Sequence, residues 1–159
     1  MSDTTACLIH YGDPSTTAFV HRWLNIYTIP ADIAAHFPPY PGVPHVSRIQ
    51  MNTFAWEPFC AVFRELISTG LVKELHTYDG CVNLRRKRGM NEWSIHSWGL
   101  ALDFDQALAP LGSQVPHFSQ AFLNVWRKHN WDCGAYWKGR KDIMHMQYTK
   151  LFPTASLNT

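Results

Sequence analysis

The chain has 159 residues, 46% of them hydrophobic and 16% charged, with a formal net charge of +2. A chain of that length forms one domain that buries roughly two-thirds of its unfolded surface. No apolar run approaches the ~18 residues of a membrane span, so no stable membrane insertion is expected. The basic residues are too few to cover a nucleic-acid-binding face, so no nucleic-acid partner is expected either.

The opening residues, MSDTTACLIHYGDPS, lack the basic start and apolar core of a secretory signal. Any action outside the cytoplasm therefore needs another route out. Cys7, Cys60, Cys81 and Cys133 form no closely spaced pair and read as reduced, mostly buried thiols.

Pro14 and Ser15 open a predicted helix through TTAFVHRWLNIYTI, with Phe19, Trp23 and Ile26 on one face and an end before Pro30. The proline-rich AHFPPYPGVPH is a surface connection. HVSRIQMN alternates as a strand, with Ser47, Ile49 and Met51 on one side. FAWEPFCAVFRELISTG is an amphipathic helix starting between Phe54 and Glu57. Its Phe59, Val62, Phe63, Leu66 and Ile67 share one face, and Gly70 stops it. LVKELHTYDG reads as a second strand closing at Asp79 and Gly80, and LALDFD as a third. Pro116 opens a second long helix, PHFSQAFLNVWRKHN, with Phe118, Phe122, Val125 and Trp126 inward. After the turn-rich WDCGAYWKGRKD, IMHMQY is the last strand. This order predicts an α+β fold, a small, mainly antiparallel sheet with helices packed on one face, as one domain over residues 1–159.

The chain holds nine histidines. His10, His21, His36, His45 and His117 have no partner marked out by sequence spacing and read as structural or surface residues. Four His/Asp pairings remain: HTYD, HSWGLALD, HNWD and DIMH, and a bare spacing of this kind is a weak signal. His129 and Asp132 sit at a helix end, where polar residues are ordinary. His76 and Asp79 run into a turn.

Context favours the other two. On LALDFD, alternation sends Leu100, Leu102 and Phe104 to one face and Ala101, Asp103 and Asp105 to the other. On IMHMQY it sends Met144, Met146 and Tyr148 to the core and Ile143, His145 and Gln147 opposite. If these strands are neighbours, Asp103 and His145 face each other, and His96 arrives from the preceding loop. Two imidazoles and one carboxylate suit tetrahedral zinc with one position left to water. Asp142 is close enough to act on that water as a base. The other reading of the same residues is a His96–Asp103 hydrogen bond in a packed strand pair.

SIHSWGLALDFD resembles the SxHxxGxAxD signature of the zinc D-Ala-D-Ala metallopeptidase family, which shares its fold with Hedgehog signalling domains. DIMHMQ resembles that family's closing (E/D)xxH motif. YGDP, GCVNLRRKRG and GAYWKGRKDIMHMQ are similar to the branch containing phage L-alanyl-D-glutamate endopeptidases, so the likeness runs from about Tyr11 to Tyr148. The resemblance implies zinc on His96, Asp103 and His145, with Asp142 as general base. It implies that Ser94 touches substrate backbone or carboxylate, and that Arg85 binds substrate and holds the developing oxyanion. Arg88 either shares that role or braces its loop. Many relatives carry Glu where Asp142 stands. Trp98 and Trp137, with Trp93, are candidates to border the peptide groove, and Gly99 and Ala101 to give clearance for ion and peptide.

The implied function is a zinc-dependent peptidoglycan hydrolase that cuts the stem peptide at the L-Ala-D-Glu bond, as a phage endolysin. It is expected to be a monomer, held in the host cytoplasm until a partner opens the membrane. No wall-binding domain is expected after Tyr148, where TKLFPTASLNT remains. Two alternatives stand beside it: a D-Ala-D-Ala carboxypeptidase or dipeptidase, and a noncatalytic Hedgehog-like zinc module, against which Asp142 speaks. A nucleic-acid grip by RRKRG ranks behind both.

Overall fold

Two antiparallel sheets and five α-helices make up residues 2–150, which the computed structural model describes. The segment from Leu151 onward, where no further domain was expected, lies outside the described residues. Helix α1, Asp3–Tyr11, is capped by Ser2, whose Oγ accepts the Thr5 N–H at 3.1 Å, satisfying one of the donors that a helix start leaves open. Helix α2, Thr17–Trp23, is capped in the same way by Thr16.

The chain then leaves helical geometry sooner than the periodicity predicts. Leu24–Thr28 form strand β1, which pairs antiparallel with β2, Arg48–Asn52, from Leu24↔Asn52 to Thr28↔Arg48. Ile26, Tyr27 and Thr28 are β-formers with a partner strand at hand, and pairing overrides the helical spacing. Ile26 is accordingly exposed.

After the short α3, Ala31–Ala34, comes α4, Trp56–Ser68, which buries Trp56, Phe59, Cys60, Val62, Phe63 and Leu66. Gly70, at φ 73°, ends that run. The predicted second strand is half lost, because Leu71–Glu74 wind into a 3-10 turn and only Tyr78–Gly80 pair, as β3. Strand β4 is Ala101–Phe104. Helix α5, Gln120–Lys128, starts beyond Pro116 because Ser119 supplies its cap, accepting the Phe122 N–H at 3.1 Å. The stretch read as turn-rich opens with a strand, β5, Trp131–Gly134, and β6, Asp142–Tyr148, closes the fold.

The second sheet has the order β3-β4-β6-β5, antiparallel throughout. One face of β4 carries the buried Leu102 and Phe104, and Phe104 meets Phe63 of α4 at 6.0 Å and Trp126 of α5 at 5.8 Å between ring centroids. Both separations fall in the roughly 4.5–7 Å range of interacting aromatic pairs. The opposite face pairs Ala101 with Gln147 and Asp103 with His145. Asp105, predicted to share that face, lies past the strand end at φ 57°, and its carboxylate turns back toward Thr77. All four cysteines are buried and free. Burial pushes the Cys7 and Cys133 thiols up to about 12, which leaves them poor nucleophiles.

Candidate metal centre

His96 reaches the sheet on a 3-10 turn, Ile95–Trp98, that ends at Gly99 with φ 69°. A Cβ at Gly99 would stand 2.8 Å from the Asn52 backbone nitrogen. Glycine is therefore needed for the turn to lie against β2, and not for clearance around an ion or peptide. Asn52, fully buried, ties the turn down by donating from Nδ2 to the Trp98 carbonyl at 3.0 Å. Trp98 itself is fully buried, with Nε1 donating to the Gly12 carbonyl at 3.0 Å. It joins the turn to the end of α1 and does not reach the cleft, contrary to its expected place beside substrate.

His96 Nε2, Asp103 Oδ1 and His145 Nδ1 meet at one point. The separations are 3.2 Å for His96–Asp103, 3.4 Å for His145–Asp103 and 3.2 Å for His145–His96. Ligand atoms 2.0–2.1 Å from a tetrahedral zinc are about 3.3–3.4 Å apart, so the three atoms already have the spacing of one tetrahedral face.

The outer hydrogen bonds decide what these nitrogens offer. His96 Nδ1 lies 2.8 Å from the Cys81 carbonyl oxygen, which only accepts, so the ring proton sits there and Nε2 presents a lone pair. Gln147 Nε2 donates to Asp3 Oδ2 at 2.7 Å, which orients the amide so that its Oε1 faces His145 Nε2 at 3.0 Å. His145 therefore donates from Nε2 and also presents a lone pair, from Nδ1. Two lone pairs and a carboxylate oxygen converging on one point repel each other unless a cation stands between them, and outer-shell bonds of this kind are what fix metal-ligating histidines.

The protonation balance agrees. Burial alone would raise Asp103, but inward protons on the His145 and His96 rings, taken up when no cation is bound, would bond to it and outweigh burial, holding the carboxyl well below its ordinary range. Burial also opposes charge on His145, yet Asp103 and Gln147 prevail and hold the imidazole above its usual 6.5. A proton on His145 and a dication are rival ways to fill the same point.

Asp142 and His145 are three apart on β6, and a regular strand would send them to opposite faces. The pairing jumps from Cys133↔Met146 to Gly134↔Asp142, and this bulge re-aims the end of the strand. Asp142 and Met144 consequently line the cleft with His145, while Ile143 joins the core. The predicted sides of Ile143 and Met144 are thus exchanged. Gly134 is required at the crossing, since a Cβ there would collide with the Asp142 carbonyl. Asp142 Oδ1 is buried with no hydrogen-bond partner among the described residues. Burial pushes its carboxyl up, and Asp103 adds to this against the opposing pull of His145, His96 and Arg85.

These groups open into a cleft of about 800 Å³. The basic segment forms one wall as a folded-back loop: Arg86 bridges Trp93, and the Ser94 N–H donates to the Arg85 carbonyl at 2.9 Å. The loop thereby sets Arg85 and Ser94 side by side on the cleft, with Arg88 farther out. Trp93 lies under Arg86, whose guanidinium carbon is 3.6 Å from the ring centroid, so it supports the loop. Trp137, partly exposed, lines the cleft with its ring 5.1 Å from that of His145.

Sequence reasoning brings together the three converging side chains, Asp142, Arg85, Ser94, Arg88 and Trp137. It misses Gln147, Asp3 and the Cys81 carbonyl, which fix the imidazoles. No local spacing could have revealed a contact between Asp3 and Gln147. It also leaves His117 without a partner and pairs His76 with Asp79, whereas both imidazoles face Asp105.

A family model described as D-alanyl-D-alanine carboxypeptidase matches residues 88–148. That span is under half of the chain, yet it takes in Ser94, His96, Asp103, Asp142 and His145. The match supports a zinc metallopeptidase that acts on peptidoglycan peptides. Searches of curated proteins and of solved structures return no match.

Proposed function

We propose that the chain is a zinc-dependent peptidoglycan hydrolase that cuts the stem peptide between L-Ala and D-Glu, working as a monomeric phage endolysin. In that reading it accumulates in the host cytoplasm and reaches the wall once the membrane has been opened. The observation that carries the reading is the convergence of His96, Asp103 and His145 in a cleft that also holds Asp142, whose Oδ1 is buried with no hydrogen-bond partner among the described residues. The endopeptidase assignment rests on the resemblance of GCVNLRRKRG and GAYWKGRKDIMHMQ to the phage branch.

His96, Asp103 and His145 would hold the zinc, which supplies a Lewis acid for the scissile carbonyl and for water. Asp142, raised by burial, is suited to take the proton of the attacking water and pass it to the leaving amine. Arg85, whose backbone is tied to Ser94 and Ser97, provides a guanidinium that would fork onto the developing oxyanion or a substrate carboxylate. Ser94 and Trp137 orient the peptide, and Arg88 extends the basic wall toward an acidic stem.

The description of the matched family favours a second reading, a carboxypeptidase that removes terminal D-Ala. Mass spectrometry of digested muropeptides separates the two. New N-terminal D-Glu supports the endopeptidase, whereas release of D-Ala alone overturns it. Lysis that survives both Asp142→Ala and His96→Ala would overturn the enzymatic reading altogether.

A further inference from the structure

We propose that His76, Asp105 and His117 form a second site for a divalent transition-metal ion, independent of the centre at Asp103. Asp105 Oδ2 lies 3.0 Å from His76 Nδ1 and 2.8 Å from His117 Nε2. The three ligand atoms all fall within 4.8 Å of one another. Two imidazoles and one carboxylate are a donor set that zinc, nickel, copper and iron accept, with the remaining positions left to water.

The frame around this set is built. Asp105 is fully buried, and its other oxygen accepts the backbone N–H groups of His76 and Thr77 at 2.7 and 2.8 Å. With Oδ1 so occupied, Oδ2 is fixed between the two rings. The Phe118 ring stands edge-on to His117 at 4.6 Å and restricts its rotation. His76, with a side chain 56% exposed, leaves the open side to water. The two edges to Asp105 need to widen only by a few tenths of an ångström to reach the roughly 3.3 Å of a tetrahedral site, and the edge between the two rings lies within 4.8 Å.

The histidine protons do not obstruct an ion here. The outer nitrogens, His76 Nε2 and His117 Nδ1, make no hydrogen bond to a described residue, so each neutral ring can carry its single proton on the outside. Binding then exchanges two N–H···O contacts for two N–metal bonds, with no net change in protons on the rings. An ion at this point would hold β3 to the end of β4. Asp79 and Gln106, which are bonded to each other at 2.8 Å on the same edge, line the cleft of the first centre.

The test is metal binding by the full chain, stripped with a chelator and dialysed against Zn²⁺, with Co²⁺ absorption as a second probe. The wild type is expected to hold two ions. His76→Ala/His117→Ala is expected to hold one while keeping the first centre's affinity, and His96→Ala is expected to keep the second ion. One ion per wild-type chain, or two retained by the double variant, would overturn the proposal. Should the double variant not fold, the exposed His76→Ala alone decides: the second ion weakens about tenfold or more, and an unchanged affinity overturns the site.

Discussion

Two His–Asp–His clusters are centred two residues apart, one on Asp103 in β4 and one on Asp105 just past its end, and they are braced in opposite ways. At Asp103 the histidines are fixed from outside, by the Cys81 carbonyl and by Gln147, so that unprotonated nitrogens point inward. At Asp105 it is the carboxylate that is fixed, by two backbone N–H groups, while the outer nitrogens of both rings make no hydrogen bond to a described residue. The first arrangement is unfavourable without a cation at its centre. The second is satisfied by the histidines' own protons and can take an ion by moving them. The same three residue types therefore do not define one kind of site, and the partners one bond further out decide.

The largest expected difference is catalytic. Asp142→Ala should lower kcat/KM on muropeptides by about 10²–10⁴ and Arg85→Ala by about 10²–10³, with zinc content unchanged in both. His76→Ala should leave hydrolysis within about twofold, because its ring lies outside that machinery. Next is the outer shell. Gln147→Leu should weaken zinc at the first centre about 10–100-fold, as read by competition with a chelating dye, and Asp3→Ala should do less, since it frees the amide to turn without removing it.

Acidity should also separate the clusters. His145 is held above its usual value, so below that raised value a proton competes for Nδ1 and zinc affinity falls by about tenfold per pH unit. The smallest effect is on stability, in Asp105→Ala. Burial would raise Asp105, but His117, His76 and the two backbone N–H groups outweigh it and hold the carboxyl low. The ionised form therefore stabilises the fold above the unfolded carboxylate value of about 3.9 and ceases to do so as pH falls through the lower folded value. Denaturant melts of the metal-free protein should show a cost of about 1–3 kcal/mol at neutral pH, shrinking toward pH 3.

What could be read in the sequence divides along physical lines. Helix α4 was legible because Phe59, Val62, Phe63 and Leu66 repeat at helical spacing and Gly70 ends the run locally. The pairing of Asp103 with His145 was legible because strand alternation is a two-residue rule. The segment after Trp23 was not, since β1 exists through a partner strand twenty residues on. The convergence of Asp142 with His145 depends on a bulge, which alternation cannot foresee and which exchanges Ile143 and Met144. Trp98 looked like a cleft residue because it lies close to His96 in sequence, yet two steps along a 3-10 turn point it into the core. The brace from Asp3 to Gln147 joins the two ends of the fold, and no spacing rule connects them.

The most direct test of the metal centre is a crystal structure of the zinc-loaded protein with anomalous scattering recorded at the zinc edge. The expected result is an ion about 2.0–2.1 Å from His96 Nε2, His145 Nδ1 and an Asp103 oxygen, with the Cys81 and Gln147 hydrogen bonds intact. An ion bound through His145 Nε2, or no zinc signal among these three residues, would contradict the account.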